Sequence, residues 1–121
     1  MEKFKLKEPV SFTIGDARLT VVALQLGEYA NKAKAVICVF EDGDSSKLSS
    51  NVPERAHKLN VEEFFLKDWS ENKEMADALD DAGVILPTGD SVHTAWVEAH
   101  VTVLNYDKLE KQDADSEADS D

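Results

Sequence analysis

Trp96, Glu98 and His100 occupy alternate positions in Ser91–Tyr106, the longest alternating stretch of the chain. Period two places them on one face of a strand, with Thr94 and Thr102 beside them. An aromatic ring flanked by a carboxylate and an imidazole suits a contact surface for a protein partner. The competing reading has a helix covering this face, with Trp96 as a core residue. The small apolar set on the other face, Ala95, Val97, Ala99, Val101 and Val103, is expected to look into the core.

Metal chemistry finds poor spacing. His93 and His100 are seven residues apart, so one regular strand would turn them to opposite sides. Glu98 and His100 alone supply two ligands, whereas zinc sites need three or four. His57 would have to arrive from a distant segment. Asp42-Gly43-Asp44-Ser45-Ser46 has oxygen ligands at alternate positions, but Lys47 and Pro53 stand where a calcium loop needs glycine and glutamate. That segment is expected to be a solvated hairpin turn. No metal or cofactor is expected.

Nucleophilic catalysis also lacks a pattern. No serine sits in a Gly-x-Ser-x-Gly elbow, and no histidine is close to Cys38 in sequence. The five glycines are isolated, so no phosphate-cradling loop is present. Glu62-Glu63 and Asp80-Asp81 are adjacent carboxylates, but acid–base chemistry needs a cleft. The expectation is a binding protein and not an enzyme.

A second constellation is electrostatic. Ser70-Glu71-Asn72 opens a helix, with Ser70 as the expected N-cap. Met75, Leu79 and Ala82 give one apolar stripe, and Gly83 stops the helix. Glu71 and Glu74 suit the positive end of the helix dipole. Glu74, Asp77, Asp80 and Asp81 lie away from the apolar stripe. This face belongs to a charge division along the chain. Residues 1–60 hold 8 acids and 9 bases, whereas residues 61–121 hold 17 acids and 4 bases. Such asymmetry disfavours direct nucleic-acid binding, which requires a basic surface.

The elements that must position these residues follow from periodicity. Phe4 and Leu6 alternate with Lys3, Lys5 and Lys7; Val10, Phe12 and Ile14 resume after Pro9. Gly15-Asp16 is a turn signal, and Arg18–Leu26 completes a hairpin. Ala33–Phe40 is nearly all apolar and fits a central strand, with Cys38 buried. Lys47–Val52 fits a short strand. Val61–Trp69 carries Phe64, Phe65, Leu66 and Trp69, and its helix or strand character is ambiguous. Val84–Asp90 fits an apolar anchor followed by a turn. This order predicts an α+β domain over residues 1–106: an antiparallel sheet of about five strands with one main helix packed on it. Residues 107–121 are expected to form an acidic disordered tail, because Gln112–Asp121 has five acids and nothing larger than alanine to bury.

A single cysteine precludes an internal disulfide. No apolar run approaches the ~20 residues of a membrane span, and no signal-like N-terminus is present, so a cytoplasmic location is the default.

Phe65-Leu66-Lys67-Asp68-Trp69-Ser70-Glu71-Asn72 is followed by Leu79, Ala82-Gly83-Val84-Ile85 and Thr88-Gly89, with Leu48-Ser49-Ser50-Asn51 upstream. Over residues 33–106 this pattern resembles a family of small uncharacterised proteins carried by conjugative elements and phages of gut bacteria. The resemblance implies an accessory gene of a mobile element and assigns no catalytic role. The acidic tail lies outside the pattern.

Two functional expectations result. In the first, Glu71, Glu74, Asp77, Asp80 and Asp81, with the tail from Asp113, replace phosphates opposite a basic nucleic-acid-binding or host-defence protein. In the second, an ordinary protein partner docks on Trp96, Glu98 and His100, and acidity serves only solubility. The oligomeric state is not specified by either.

Overall fold

Alternation at the N-terminus builds a hairpin of two long strands, β1 (Glu2–Ile14) and β2 (Ala17–Glu28), closed at Gly15-Asp16. Gly15 adopts φ 58°, which a residue with a side chain adopts less readily. This computed structural model describes residues 2–60, 62–94 and 98–112, with all of their side chains except those of Lys58 and Glu71. Pro9 does not end β1. The ladder steps from Lys5↔Ala23 to Val10↔Val21, and this irregularity accommodates a residue that has no N–H to donate.

The nearly all-apolar run forms β3 (Lys34–Phe40), paired with β2. Val36 and Cys38 are fully buried, whereas Ile37 between them is only half-buried. A turn at Glu41–Asp44 leads to β4 (Ser45–Lys47). In it the Asp42 carboxylate accepts the Asp44 N–H at 2.9 Å, as expected for a hairpin turn.

The sequence predicted one sheet of about five strands; the described residues form two, both antiparallel. The first has the order β4-β3-β2-β1-β9 and the second β5-β6-β8-β7. The second is built from β5 (Ser49–Ser50), β6 (Glu63–Leu66), β7 (Ile85–His93) and β8 (Glu98–Leu104). Two misread segments account for it. The ambiguous run at Phe64 is a strand buried on both faces, so it shows no period-two alternation. The stretch from Ser91 is two strands, since β7 ends at His93 and β8 begins at Glu98. The turn expected at Thr88-Gly89-Asp90 lies inside β7, where pairing skips from Pro87↔Thr102 to Ser91↔His100. The broader prediction holds: this is an α+β arrangement of antiparallel strands with one α-helix among the described residues.

The sheets face each other across a core that includes Phe4, Leu6, Leu24, Val36, Cys38, Leu48, Phe64, Leu66 and Leu104. They are joined at Leu48, where the chain passes from one sheet to the other. Its N–H donates to Val36 O at 2.9 Å, and its carbonyl accepts from Lys67 N at 2.8 Å. Buried Ser49 secures the same seam. Its Oγ accepts the Val36 N–H at 2.9 Å and lies 2.8 Å from the Tyr29 hydroxyl. A second cluster, Val52, Phe65, Val92, Ala99 and Val101 with Leu59 against it, covers the other face of the second sheet.

Helix α1 (Lys73–Asp81) follows a 3-10 turn at Ser70–Asn72 and buries Met75, Ala76 and Leu79 in the main core. Ala82, expected in the stripe, is exposed. Ser70 is not the N-cap: it has φ 56° and lies a turn early. Asn72 holds the cap position without a capping hydrogen bond, and its amide donates instead to Lys47 O at 2.6 Å and Lys67 O at 3.1 Å. The C-terminus ends as predicted. Gly83 has φ 76°, its N–H bonds Asp80 O, and Val84 N–H bonds Leu79 O, a Schellman closure.

Part of the expected tail is folded. Residues 106–108 make a 3-10 turn, and β9 (Leu109–Lys111) pairs with the edge of β1. Leu109, 6% exposed, is the apolar anchor that the acid-dominated composition obscured. Residues 113–121 lie outside the described residues. Among those described, no helix is long and apolar enough to cross a membrane.

Candidate functional site

The carboxylates of α1 form a continuous exposed ridge. Glu74, Asp77, Asp80 and Asp81 are all exposed, while the buried side of the same helix grips the core. The side chain of Glu71 lies outside the described set. Lys73 is the one base of the helix, and its ammonium donates to Asp77 Oδ2 at 2.8 Å. That hydrogen bond and the Asp77 charge raise the Lys73 pKa above its usual value. No base occupies the last turn of α1, where the helix dipole disfavours Asp80 and Asp81. The side chain of Lys108 passes close to Gly83, just beyond that end.

The hairpin of β7 and β8 carries the second set. The sequence placed His93 and His100 on opposite sides of one strand. They lie on neighbouring strands instead, where His93 pairs with Glu98 and Ser91 with His100. Chain reversal between them turns both histidines to one face. His93 Nε2 lies 3.7 Å from Glu98 Oε2, and the Ser91 hydroxyl donates to the same oxygen at 2.5 Å. The Ser91 hydrogen bond, aided by the two imidazoles, holds the Glu98 carboxyl below its usual pKa. Trp96, the proposed anchor of this face, lies outside the described residues.

The two sets meet. His100 is half-buried, and its Nε2 lies 3.9 Å from Asp68 Oδ2. Leu66, Asp68, Ala76, Asp77, Asp80, Pro87 and His100 line a groove of about 240 Å3 between α1 and the second sheet. Leu66, Ala76 and Pro87 supply its apolar surface; Asp68, Asp77 and Asp80 supply carboxylates. An acidic track therefore runs from the ridge of α1 past His100 to Glu98. Thr102 and Leu104, on the same face of β8, are buried at 0% and 5% exposure, so the main core covers that end of the strand and leaves His100 at its rim.

Sequence reasoning missed Asp68 and Ser91. Asp68 becomes a neighbour of His100 through the Leu66↔His100 register of β6 and β8, which no local pattern announces. Ser91 would have followed from recognising the hairpin. Among the described residues, no group of three or more His, Cys, Asp and Glu side chains is placed to hold a metal ion. Cys38 is fully buried, and burial pushes its thiol pKa up, away from nucleophilic use. Comparison with models of protein families, with curated proteins and with solved structures finds no match to this chain.

Proposed function

We propose that this is a small, non-enzymatic, acidic binding protein that engages a lysine- and arginine-rich protein through the ridge of α1 and the adjoining groove. The observation that supports the reading is the exposed row Glu74, Asp77, Asp80 and Asp81, which borders a groove with an apolar wall and three carboxylates. Carboxylates three to four residues apart recur about every 5 Å along a helix axis. Such a row stands in for phosphates opposite a basic groove and steers encounter at long range. In the groove, an arginine or lysine of the partner would lay its aliphatic stem on Leu66, Ala76 and Pro87 and bring its charge to Asp68, Asp77 and Asp80. On this reading the partner is a nucleic-acid-binding or host-defence protein, and the setting is the cytoplasm of a cell that carries a mobile element or phage. The alternative, an ordinary protein partner docking on Trp96, Glu98 and His100, has less support among the described residues, which leave out its aromatic anchor Trp96.

The test is a variant with Glu74→Gln, Asp77→Asn, Asp80→Asn and Asp81→Asn, which keeps shape and removes four charges. A partner captured from the native host at low salt is immobilised, and association is measured by surface plasmon resonance at two salt concentrations. The variant should associate more slowly, with a smaller change in dissociation, and the wild type should displace nucleic acid from the partner. Association at the wild-type rate, or undisturbed nucleic-acid binding, would end this reading.

A further inference from the structure

We infer that the outer face of the five-stranded sheet is a docking surface for the chain's own acidic segment, residues 113–121. The inner face of this sheet fills the main core through Phe4, Leu6, Leu24, Leu26, Val36 and Cys38. The residues between them point outward, and the strand registers align them in rows. One row runs Glu110, Lys5, Ala23, Val39, Ser45; the next runs Lys3, Gln25, Ile37, Lys47. Ala23 is buried, and Gln25, Ile37 and Val39 are half-buried. The face thus has a thin apolar strip along β2 and β3, bracketed by Lys3 and Lys5 on β1 and by Lys47 on β4. Lys47 Nζ stands 5.8 Å from the centre of the Tyr29 ring. The acid in register with these lysines is Glu110.

The chemistry of residues 113–121 complements such a face. Asp113, Asp115, Glu117, Asp119 and Asp121 alternate with Ala114, Ser116, Ala118 and Ser120. An extended strand would carry the carboxylates on one side and the alanines and serines on the other. The thin side can lie on Ala23, Ile37 and Val39 while long lysine side chains rise past it to the carboxylates. Position and reach agree. Gln112 N–H donates to Lys3 O at 2.9 Å, so the segment starts at the edge of the sheet, beside the first lysine. Four strand-to-strand steps separate β9 from β4, about 19 Å at the usual strand spacing. Nine extended residues reach about 30 Å. This inference is independent of the role assigned to α1.

A nitroxide on Ser120→Cys tests it in the full chain, because Cys38 is buried and leaves the new thiol as the labelling site. The amide signals of Ile37, Val39 and Lys47 should weaken strongly at low salt, and equally after dilution. They should recover in 1 M salt, where the screening length is about 3 Å. They should also recover in a Lys3→Gln, Lys5→Gln, Lys47→Gln variant whose circular dichroism matches the parent. Weakening confined to Lys111, Gln112 and the neighbourhood of Lys3 would overturn the inference. So would weakening that persists in the glutamine variant, or that disappears on dilution and thereby identifies a second copy as the occupant.

Discussion

Phe64 and Phe65 are neighbours in β6, both are fully buried, and they belong to different cores. Phe64 enters the space between the two sheets, where large residues from β1, β2, β3 and α1 converge. Phe65 enters the smaller cluster with Val52, Val92, Ala99 and Val101, capped by Leu59. Equal burial therefore has unequal consequences. The first core joins segments from Phe4 to Leu109 and holds the fold together. The second fastens one hairpin and one connection to the back of a sheet, and so it fixes the position of Glu98 and His100 more than the existence of the fold.

The largest effect should come from Phe64→Ala, about 3–5 kcal/mol of lost stability in chemical denaturation, because the surrounding sheets cannot collapse into the space. Phe65→Ala should cost less, about 2–3 kcal/mol, since a thin cluster relaxes more readily. Its signature is local: faster hydrogen exchange in β7 and β8 with little change in β1–β3. Equal costs and equal exchange patterns would mean that the two cores are one cooperative unit.

Alkaline titration should separate the cores as well. Cys38 lies in the main core, and Tyr106 packs edge-on against Phe4 at its margin, with ring centres 5.4 Å apart. Burial, then the hydrogen bond to Glu62, pushes the Tyr106 pKa up to about 12 from 10.0. Burial also raises Cys38 above its ordinary 9.0. Both groups hold their protons longer in the folded state, so their contribution is complete below about pH 9. It should be lost as pH rises through 9 to 12. A Cys38→Ala, Tyr106→Phe variant should show a flatter decline in denaturation midpoint over that range. An unchanged slope would place the alkaline sensitivity elsewhere.

The smallest effect concerns the outward side of the first sheet. Ile37→Ala should cost about 1 kcal/mol, because the side chain is half-buried and its loss leaves no closed cavity. A cost equal to that of Phe65→Ala would indicate that the outer face is more deeply covered than residues 2–112 make it.

Alternation disclosed the first hairpin, and glycine disclosed the end of α1, since both depend on residues near in sequence. The second sheet was obscured for the same reason. Phe64, Phe65 and Leu66 are buried from both sides, so no polar residue marks an outer face. The Ser91–Tyr106 stretch kept one apparent phase although the chain reverses within it. Leu109 was lost among acids because one apolar residue carries no period. At the candidate site, the helical carboxylates were legible from spacing, whereas the meeting of Asp68, Asp80 and His100 depends on strand register and helix placement. Ser70 was misassigned because Asn72 gives its side chain to two carbonyls of the seam, a long-range demand that overrides local capping preference.

The pairing of β9 with β1 has a consequence for biosynthesis. Lys111 lies opposite Phe4, so one edge of the first sheet waits for a partner made almost at the end of the described chain. Until Leu109 leaves the ribosome, Leu6 has no strand on that edge, opposite to β2, and the main core is open at that margin. Contacts this distant in sequence form slowly, and an unpaired edge is exposed in the interval. Lys3, Lys5, Lys7 and Pro9 are the residues that blunt such an edge against a neighbouring nascent chain. The lysines of β1 are therefore in place before the acidic residues from Glu62 onward, which outweigh them, have been made.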